Sequence, residues 1–307
     1  MSFAADDKCI RIGKFDVGRV WLAPMAGYTD IAFRQLCRER GAGLTVSEMV
    51  SVRGLVRGNA TTDILTRRAE NEDVFCLQLF GNDPQEFARA AEQVDCDIID
   101  VNMGCPMPKI VKNGDGSALL KTPALAGDVV RAIKSATDKP VTVKTRIGWS
   151  EGIGLAGELI ARVADAGAAA VTVHGRYAEQ RYAGQSDTDA VRKLAESANI
   201  PVIVNGDISE DGIADLLCEF PAVAVGRAAL KNPSLFCGGQ ADPFETAERH
   251  IELLCKYFDA RYTVNQARKF FVHYFKGVRG GKTIRDAVNR AESVADVLSA
   301  LGSQCGE

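Results

Sequence analysis

The chain has 307 residues, 46% hydrophobic and 25% charged, with a net charge of −3, which is enough for one large α/β domain and a small second unit. No apolar run reaches the length of a bilayer span and residues 1–8 are polar and acidic, so the expectation is a cytoplasmic protein with no membrane partner. Nine cysteines without a C-x-x-C pair, and only three histidines, argue against a disulfide framework, an iron–sulfur cluster or any metal centre.

In chain order, residues 10–17, turning at Gly13-Lys14, read as a small hairpin. Short, β-branched-rich apolar runs then recur at 20–23, 44–46, 75–80, 98–102, 141–144, 170–174, 202–205 and 223–225. Amphipathic stretches lie between them at 30–40, 84–94, 122–135, 157–166, 188–197 and 209–218. Several open on a capping residue (Asp30, Asp83, Ser209), and two close near Gly41 or Gly167. Eight alternating units predict an α/β chain folded as a (β/α)8 TIM barrel, with the hairpin closing its floor, and not an open doubly wound sheet.

Beyond Pro233 the period of the apolar residues changes. Ile251, Leu254, Cys255 and Phe258 repeat at helical spacing, as do Ala267, Phe270, Phe271, Tyr274 and Phe275, and then Val294, Val297, Leu298 and Leu301. Three or four helices with no strand between them follow from that pattern. The expected division is a barrel domain over 1–238 and a small all-helical domain over 239–307, parted at Cys237-Gly238-Gly239-Gln240. Between Arg261 and Arg290 stand eight Lys or Arg against a single acid, Asp286, on an otherwise acidic chain. A basic end of this kind suits a polyanionic partner.

The chemistry collects at the ends of the predicted strands, where barrel enzymes keep their active residues. Those ends are Ala23-Pro24-Met25, Gln78, Asn102 with Cys105, Lys144 with Arg146, His174 with Arg176, Asn205-Gly206-Asp207, and Gly226-Arg227. Cys105 alone would pass for a buried structural thiol; its company argues otherwise. The set suits a flavin. Gly206 and Gly226 follow strands 7 and 8, where barrels cradle phosphate, with Arg227 adding charge. Lys144 can face the N1/O2 edge of a reduced isoalloxazine, and Gln78 can read a ring edge. Two apparent motifs are set aside. Gly152, Gly154 and Gly157 match G-x-G-x-x-G but do not follow a strand directly, so they read as a helix N-terminus in a barrel loop. The stretch 277–283 imitates a P-loop out of register and reads as a flexible basic turn.

Together these residues resemble the tRNA-dihydrouridine synthases, most closely the bacterial B-type subfamily, over nearly the whole chain. The most specific matches are Ala23-Pro24-Met25-Ala26-Gly27, Thr45-Val46-Ser47-Glu48-Met49, Asn102-Met103-Gly104-Cys105-Pro106, Gly116-Ser117-Ala118-Leu119-Leu120, His174-Gly175-Arg176, Asn205-Gly206-Asp207 and Gly226-Arg227-Ala228-Ala229. The resemblance implies an FMN-dependent barrel with a helical C-terminal domain that holds tRNA, reducing the C5–C6 bond of particular uridines with NADPH. It makes Cys105 the proton donor to C5. Ala23, Pro24, Met25, Gln78, Lys144, Asn205, Asp207, Gly226 and Arg227 become FMN contacts, His174 faces the flavin, and Asn102 reads the uracil edge. Arg176 is assigned to the substrate with Asn102, and Lys109 (with Lys112) to tRNA phosphates. Arg268, Lys269 and Lys276 are the candidate phosphate contacts of the helical segment. Phe270 and Phe271 are expected in the core, not stacked on bases. A flavin barrel acting on a free pyrimidine would share the strand-end site but has no use for a basic helical module. A tRNA-binding factor with a vestigial site has no use for an intact Cys105, Lys144 and His174. Nothing in the sequence calls for an obligate protein partner. The tail after Val278 departs most from the family pattern, which leaves the choice of uridine open.

Overall fold

A computed structural model describes residues 9–302; residues 1–8 and 303–307, including the polar N-terminal stretch, lie outside the described residues. Eight parallel strands form the barrel. They are β1 (Val20–Leu22), β2 (Leu44–Thr45), β3 (Cys76–Phe80), β4 (Ile98–Asn102), β5 (Val141–Ser150), β6 (Ala170–Tyr177), β7 (Val202–Asn205) and β8 (Val223–Val225). Neighbours in sequence pair in parallel from β3 to β8, and β8 pairs β1, which pairs β2. The ring closes through a parallel bridge between Val46 and Cys76. The hairpin Cys9–Ile12 and Phe15–Gly18 turns at Gly13, whose φ of 60° suits a residue without a Cβ. Its Ile10, Ile12 and Val17 pack on Trp21, Ile98, Ala170, Ile203 and Ala224 inside the barrel floor.

Strand phase decides what lines the interior. Side chains alternate across a strand, so every second residue points inward. The outward set, such as Leu77 and Leu79, Ile99 and Val101, Val141 and Val143, Val171 and Val173, is apolar and packs under the helices. The inward set changes character from floor to mouth. Cys76 gives way to Gln78, Ile98 to Asp100 and Asn102, Ala170 to Thr172 and His174, and Ile203 to Asn205. On β5 the same phase carries Thr142, Lys144 and Arg146. The lower barrel is sealed by hydrocarbon and the upper barrel is a layer of buried polar groups.

Three elements differ from expectation. The stretch 209–218 is helical only over Ile213–Glu219, with Gly212 and not Ser209 at the cap position, because the chain after β7 is still turning there. β5 continues past Lys144 to Ser150, held through Thr145, Arg146 and Gly148 by β6 and on its other side by Ile153–Leu155, which folds back to pair Leu155 with Gly148 and Ile153 with Ser150. Gly152 and Gly154, at φ 72° and 56°, shape that return, and the helix Ala156–Asp165 opens only after it. A short extra strand, Val50–Ser51, pairs with β3.

After a 3-10 turn, Pro233–Cys237, that ends at left-handed Gly238 (φ 69°), four helices follow: Pro243–Tyr257, Ala260–Tyr274, Gly281–Arg290 and Val294–Gly302. The first two open on Asp242 and Asp259, whose carboxylates accept first-turn N–H groups. Phe270 joins Phe33 of the helix Ile31–Glu39, centroids 4.8 Å apart, and His250 at 4.4 Å, so the helices share one core with the barrel wall. Phe270 and Phe271 are buried there. Among the described residues no helix is long and apolar enough to cross a membrane, and no group of three or more His, Cys, Asp or Glu is arranged to hold a metal.

Candidate active site at the barrel mouth

The polar layer opens into a cleft of about 690 Å³ at the C-terminal ends of the strands. Ala23, Pro24, Met25, Gln78, Asn102, Cys105, Lys144, His174, Asn205, Gly206, Asp207, Gly226 and Arg227 all line it. Each is delivered by the end of a strand or the first residues beyond it, which is what a closed parallel barrel does with successive βα loops.

A single file of hydrogen bonds holds the Cys105 turn. Asp100 accepts from Thr142 Oγ1 (2.6 Å) and from Gln78 Nε2 (2.6 Å). Gln78 Oε1 in turn accepts from Asn102 Nδ2 (2.9 Å), and Asn102 Oδ1 accepts from the backbone N–H groups of Cys105 (2.9 Å) and Gly104 (3.2 Å). An ionised carboxylate only accepts, so Asp100 fixes the orientation of both amides in the file. Asn102 is thereby committed largely to the turn. Burial pushes the Asp100 carboxyl up from its ordinary value, although the Gln78 and Thr142 hydrogen bonds favour its charged form. Cys105 is half-buried, and burial pushes its thiol above its ordinary value despite the opposing Met107 amide, Arg146 and Lys144.

Two cations stand beside it. Lys144 is pushed down to about 8, first by burial and then by Arg146. Its ammonium makes no hydrogen bond or ion pair with any described residue. Arg146 donates to the carbonyls of Gly104 (2.9 Å), Tyr177 (3.1 Å) and Arg181 (2.8 Å), bracing the Cys105 turn against β6. His174 is pushed down to about 2 by burial and by the surrounding cations Lys144, Arg146, Arg176 and Arg227, so it is neutral at any working pH.

At the ends of β7 and β8, Gly206 has a φ of 117°, and a Cβ there would meet Ser186 Oγ at 2.3 Å and His174 Cδ2 at 2.4 Å. Only glycine fits. Asp207 follows in left-handed backbone (φ 48°), with its carboxylate bound by Arg176, Arg227 and the Ser186 N–H. These cations hold the Asp207 carboxyl below its ordinary value against the opposing effect of partial burial.

The expected substrate contacts are dispersed. Arg176 is 1% exposed and turned away from the cleft, onto Asp207, His174 (3.2 Å) and the carbonyls of Ala183 and Gly184. All three of its guanidinium nitrogens have protein partners. Lys109 and Lys276 are exposed. Arg268 donates to the Ala291 carbonyl (2.5 Å) and to Asn265 (3.2 Å). Lys269 donates to the Gly27 carbonyl and lies 4.5 Å from the Tyr28 ring centroid. Both are half-buried joints of the helical region, not free surface cations.

The cleft also contains residues given no role from the sequence: Tyr28, Met49, Tyr182 and His273 line it, and Asp100 lies beneath it. Asp100 was detectable, being in phase with Ile98 and Asn102. His273 was not, because only tertiary packing brings the helix Ala260–Tyr274 over Tyr28, 5.9 Å between rings.

Residues 21–305 match the family model described as dihydrouridine synthase. The chain is 36% identical to a probable tRNA-dihydrouridine synthase of Treponema pallidum, covering 94% of this chain and 93% of that protein. It is 33% identical to tRNA-dihydrouridine synthase B of Escherichia coli K12, covering 95% and 98%. Among solved structures, the old yellow enzyme homologue of Zymomonas mobilis superposes with a TM-score of 0.57 at 14% identity, covering 76% of this chain and 91% of that one, a likeness of fold.

Proposed function

The chain belongs to the dihydrouridine synthase family, and on that premise we propose that it binds FMN in the barrel-mouth cleft and uses NADPH to reduce the C5–C6 bond of specific uridines in tRNA. Lys144 carries the reading. A desolvated ammonium without a protein partner, facing a cleft, needs an anion there, and the N1/O2 edge of a reduced flavin is one. Ala23-Pro24-Met25 offer an apolar wall for the ring, and Gln78 offers an amide already oriented by Asp100. Gly206, Gly226 and Arg227 suit the phosphate end.

When bound and reduced, FMN supplies the hydride that C6 of the uracil receives. Cys105 then gives its proton to C5. Because burial raises the thiol, it stays protonated through neutral pH and serves as a general acid. Asn102 holds the backbone that aims it, and Arg146 braces the same turn. Arg176 positions Asp207 and His174 instead of touching substrate. A uridine must be flipped out of the tRNA body to reach this depth. Lys276, Arg279, Lys282 and Arg290 are exposed and grip the backbone in a salt-sensitive way, with Lys109 at the cleft side. A cytoplasmic setting fits work on tRNA with NADPH.

The test is anaerobic incubation with unmodified tRNA and NADPH beside a free-uracil control. Dihydrouridine in the tRNA alone is the expected result. Reduction of the free base alone would overturn the reading in favour of a pyrimidine dehydrogenase.

A further inference from the structure

Next to the cleft lies a second hollow, of about 340 Å³, between the loop after Cys105 and the residues that follow β3. Asp115 lines it. That residue is 5% exposed, its carboxylate makes no hydrogen bond with any described residue, and Oδ1 is enclosed without a partner. It stands at the start of the 3-10 turn Gly116–Lys121 but does not cap it. An enclosed carboxylate without a donor is costly and has no structural reason to be retained. Phe80 gives the hollow an aromatic face, and Arg57 and Lys109 stand exposed at its rim without an acidic partner among the described residues. Arg53 is shared with Glu86 at 3.2 Å.

The same wall supports the Cys105 turn. Ser117 N–H donates to the Cys105 carbonyl (3.0 Å), and a Cβ on Gly116 (φ 61°) would meet that carbonyl oxygen at 2.8 Å. The hollow and the thiol therefore lie on two sides of one turn, with Asp115 directly before Gly116.

We propose that this hollow is a second nucleotide subsite, taking one of the nucleotides beside the target uridine, with Asp115 accepting an N–H of its base, Phe80 under the base, and Arg57 and Lys109 on the phosphate. The proposal rests on the tRNA reading of the main cleft. A nucleotide matches all three kinds of group present: an acceptor for a base edge, a stacking face and cations for phosphate. The nucleotide half of a nicotinamide cofactor shares that chemistry, and the experiment separates the two sources.

Unmodified tRNA transcripts carrying single abasic sites within three positions of the target are assayed with the FMN-loaded enzyme and its Asp115→Ala variant. For the wild type, one abasic site lowers kcat/KM about tenfold. Asp115→Ala loses a similar factor on intact tRNA and is indifferent to that same site. Flavin reduction by NADPH is unchanged in the variant, and its Tm is equal or higher, because an unpaired buried carboxylate has been removed. Asp115→Asn, which keeps the shape but loses an acceptor, gives an independent reading if Asp115→Ala folds poorly. Equal sensitivity of variant and wild type to every abasic site overturns the proposal, as does a defect confined to NADPH oxidation, which would assign the hollow to the reductant. Failure of the underlying reading is distinguishable, since the wild type would then form no dihydrouridine on any transcript.

Discussion

Replacing Cys105 with serine keeps the size and the turn, since Asn102 and Ser117 bind the backbone of residue 105 and not its sulfur. What changes is the acid. With its pKa raised by burial, the thiol stays protonated at neutral pH, yet it is far more willing than a serine hydroxyl to release the proton as C5 takes it. A positioned general acid contributes about 10²–10⁴-fold, so oxidation of the NADPH-reduced enzyme by tRNA should slow by that factor in Cys105→Ser. Neither the FMN complement nor tRNA affinity should move, because the sulfur holds neither. Single-turnover absorbance of the flavin under anaerobic conditions reads the step directly. Over the alkaline window above pH 7 the wild-type rate should only fall, as the raised thiol ionises, because protonated sulfur is the active form. A loss under tenfold, a loss entirely in KM, or a rate that rises with pH in that window would refute the assignment.

Three further outcomes follow from buried groups. Lys144 carries its charge below about pH 8, so the affinity of apoprotein for FMN, titrated by fluorescence quenching, should weaken as pH rises through 8; Lys144→Met should bind more weakly and lose that dependence. Asp30 is pushed up to about 6 by burial, so the folded state binds its proton more tightly than the unfolded chain. Its contribution is greatest below about pH 4 and is lost as pH rises through 6, leaving a cost of about 3 kcal/mol at pH 8. Asp30→Asn, which can still accept from Phe33 N–H, should therefore stabilise the protein in urea denaturation at pH 8 and hardly at all at pH 4. Phe270→Ala should cost about 3–5 kcal/mol in the same assay, since the ring is enclosed by Phe33, His250 and Tyr274. Unchanged stability with weakened tRNA binding would instead make it a base-stacking residue.

The barrel and its strand ends were legible because both depend on local rules. Alternation on β4 sets Ile98, Asp100 and Asn102 inward whatever the rest of the chain does, and the change from hydrocarbon to polar along that face is already written in those three residues. The extension of β5 was not legible, because residues 145–150 mix inward and outward polar groups around Gly148 and acquire strand geometry by pairing with β6 on one side and Ile153–Leu155 on the other. The roles of Arg176 and Lys269 were hidden for a different reason. A cation's type says it wants an anion or a carbonyl, but Asp207 lies 31 residues from Arg176 and Gly27 lies 242 from Lys269, so only the closed barrel reveals the partner.

Lys269 also bears on how the two parts of the molecule work together. The Gly27 peptide is gripped from both sides, its N–H by the Glu48 carboxylate and its carbonyl by the Lys269 ammonium. Glu48 is buried and pushed up by that burial, with the Gly27 hydrogen bond and Lys269 favouring its charged form. One end of this file is fixed in the segment after β2 and the other in the helix Ala260–Tyr274, while the peptide between them directly follows Ala23-Pro24-Met25-Ala26. Any tilt of that helix pulls on the apolar wall proposed for the flavin. Lys269 thus ties the helix Ala260–Tyr274 to the backbone beside the cleft, which is the coupling the proposed tRNA reading requires between the basic helices and the thiol of Cys105.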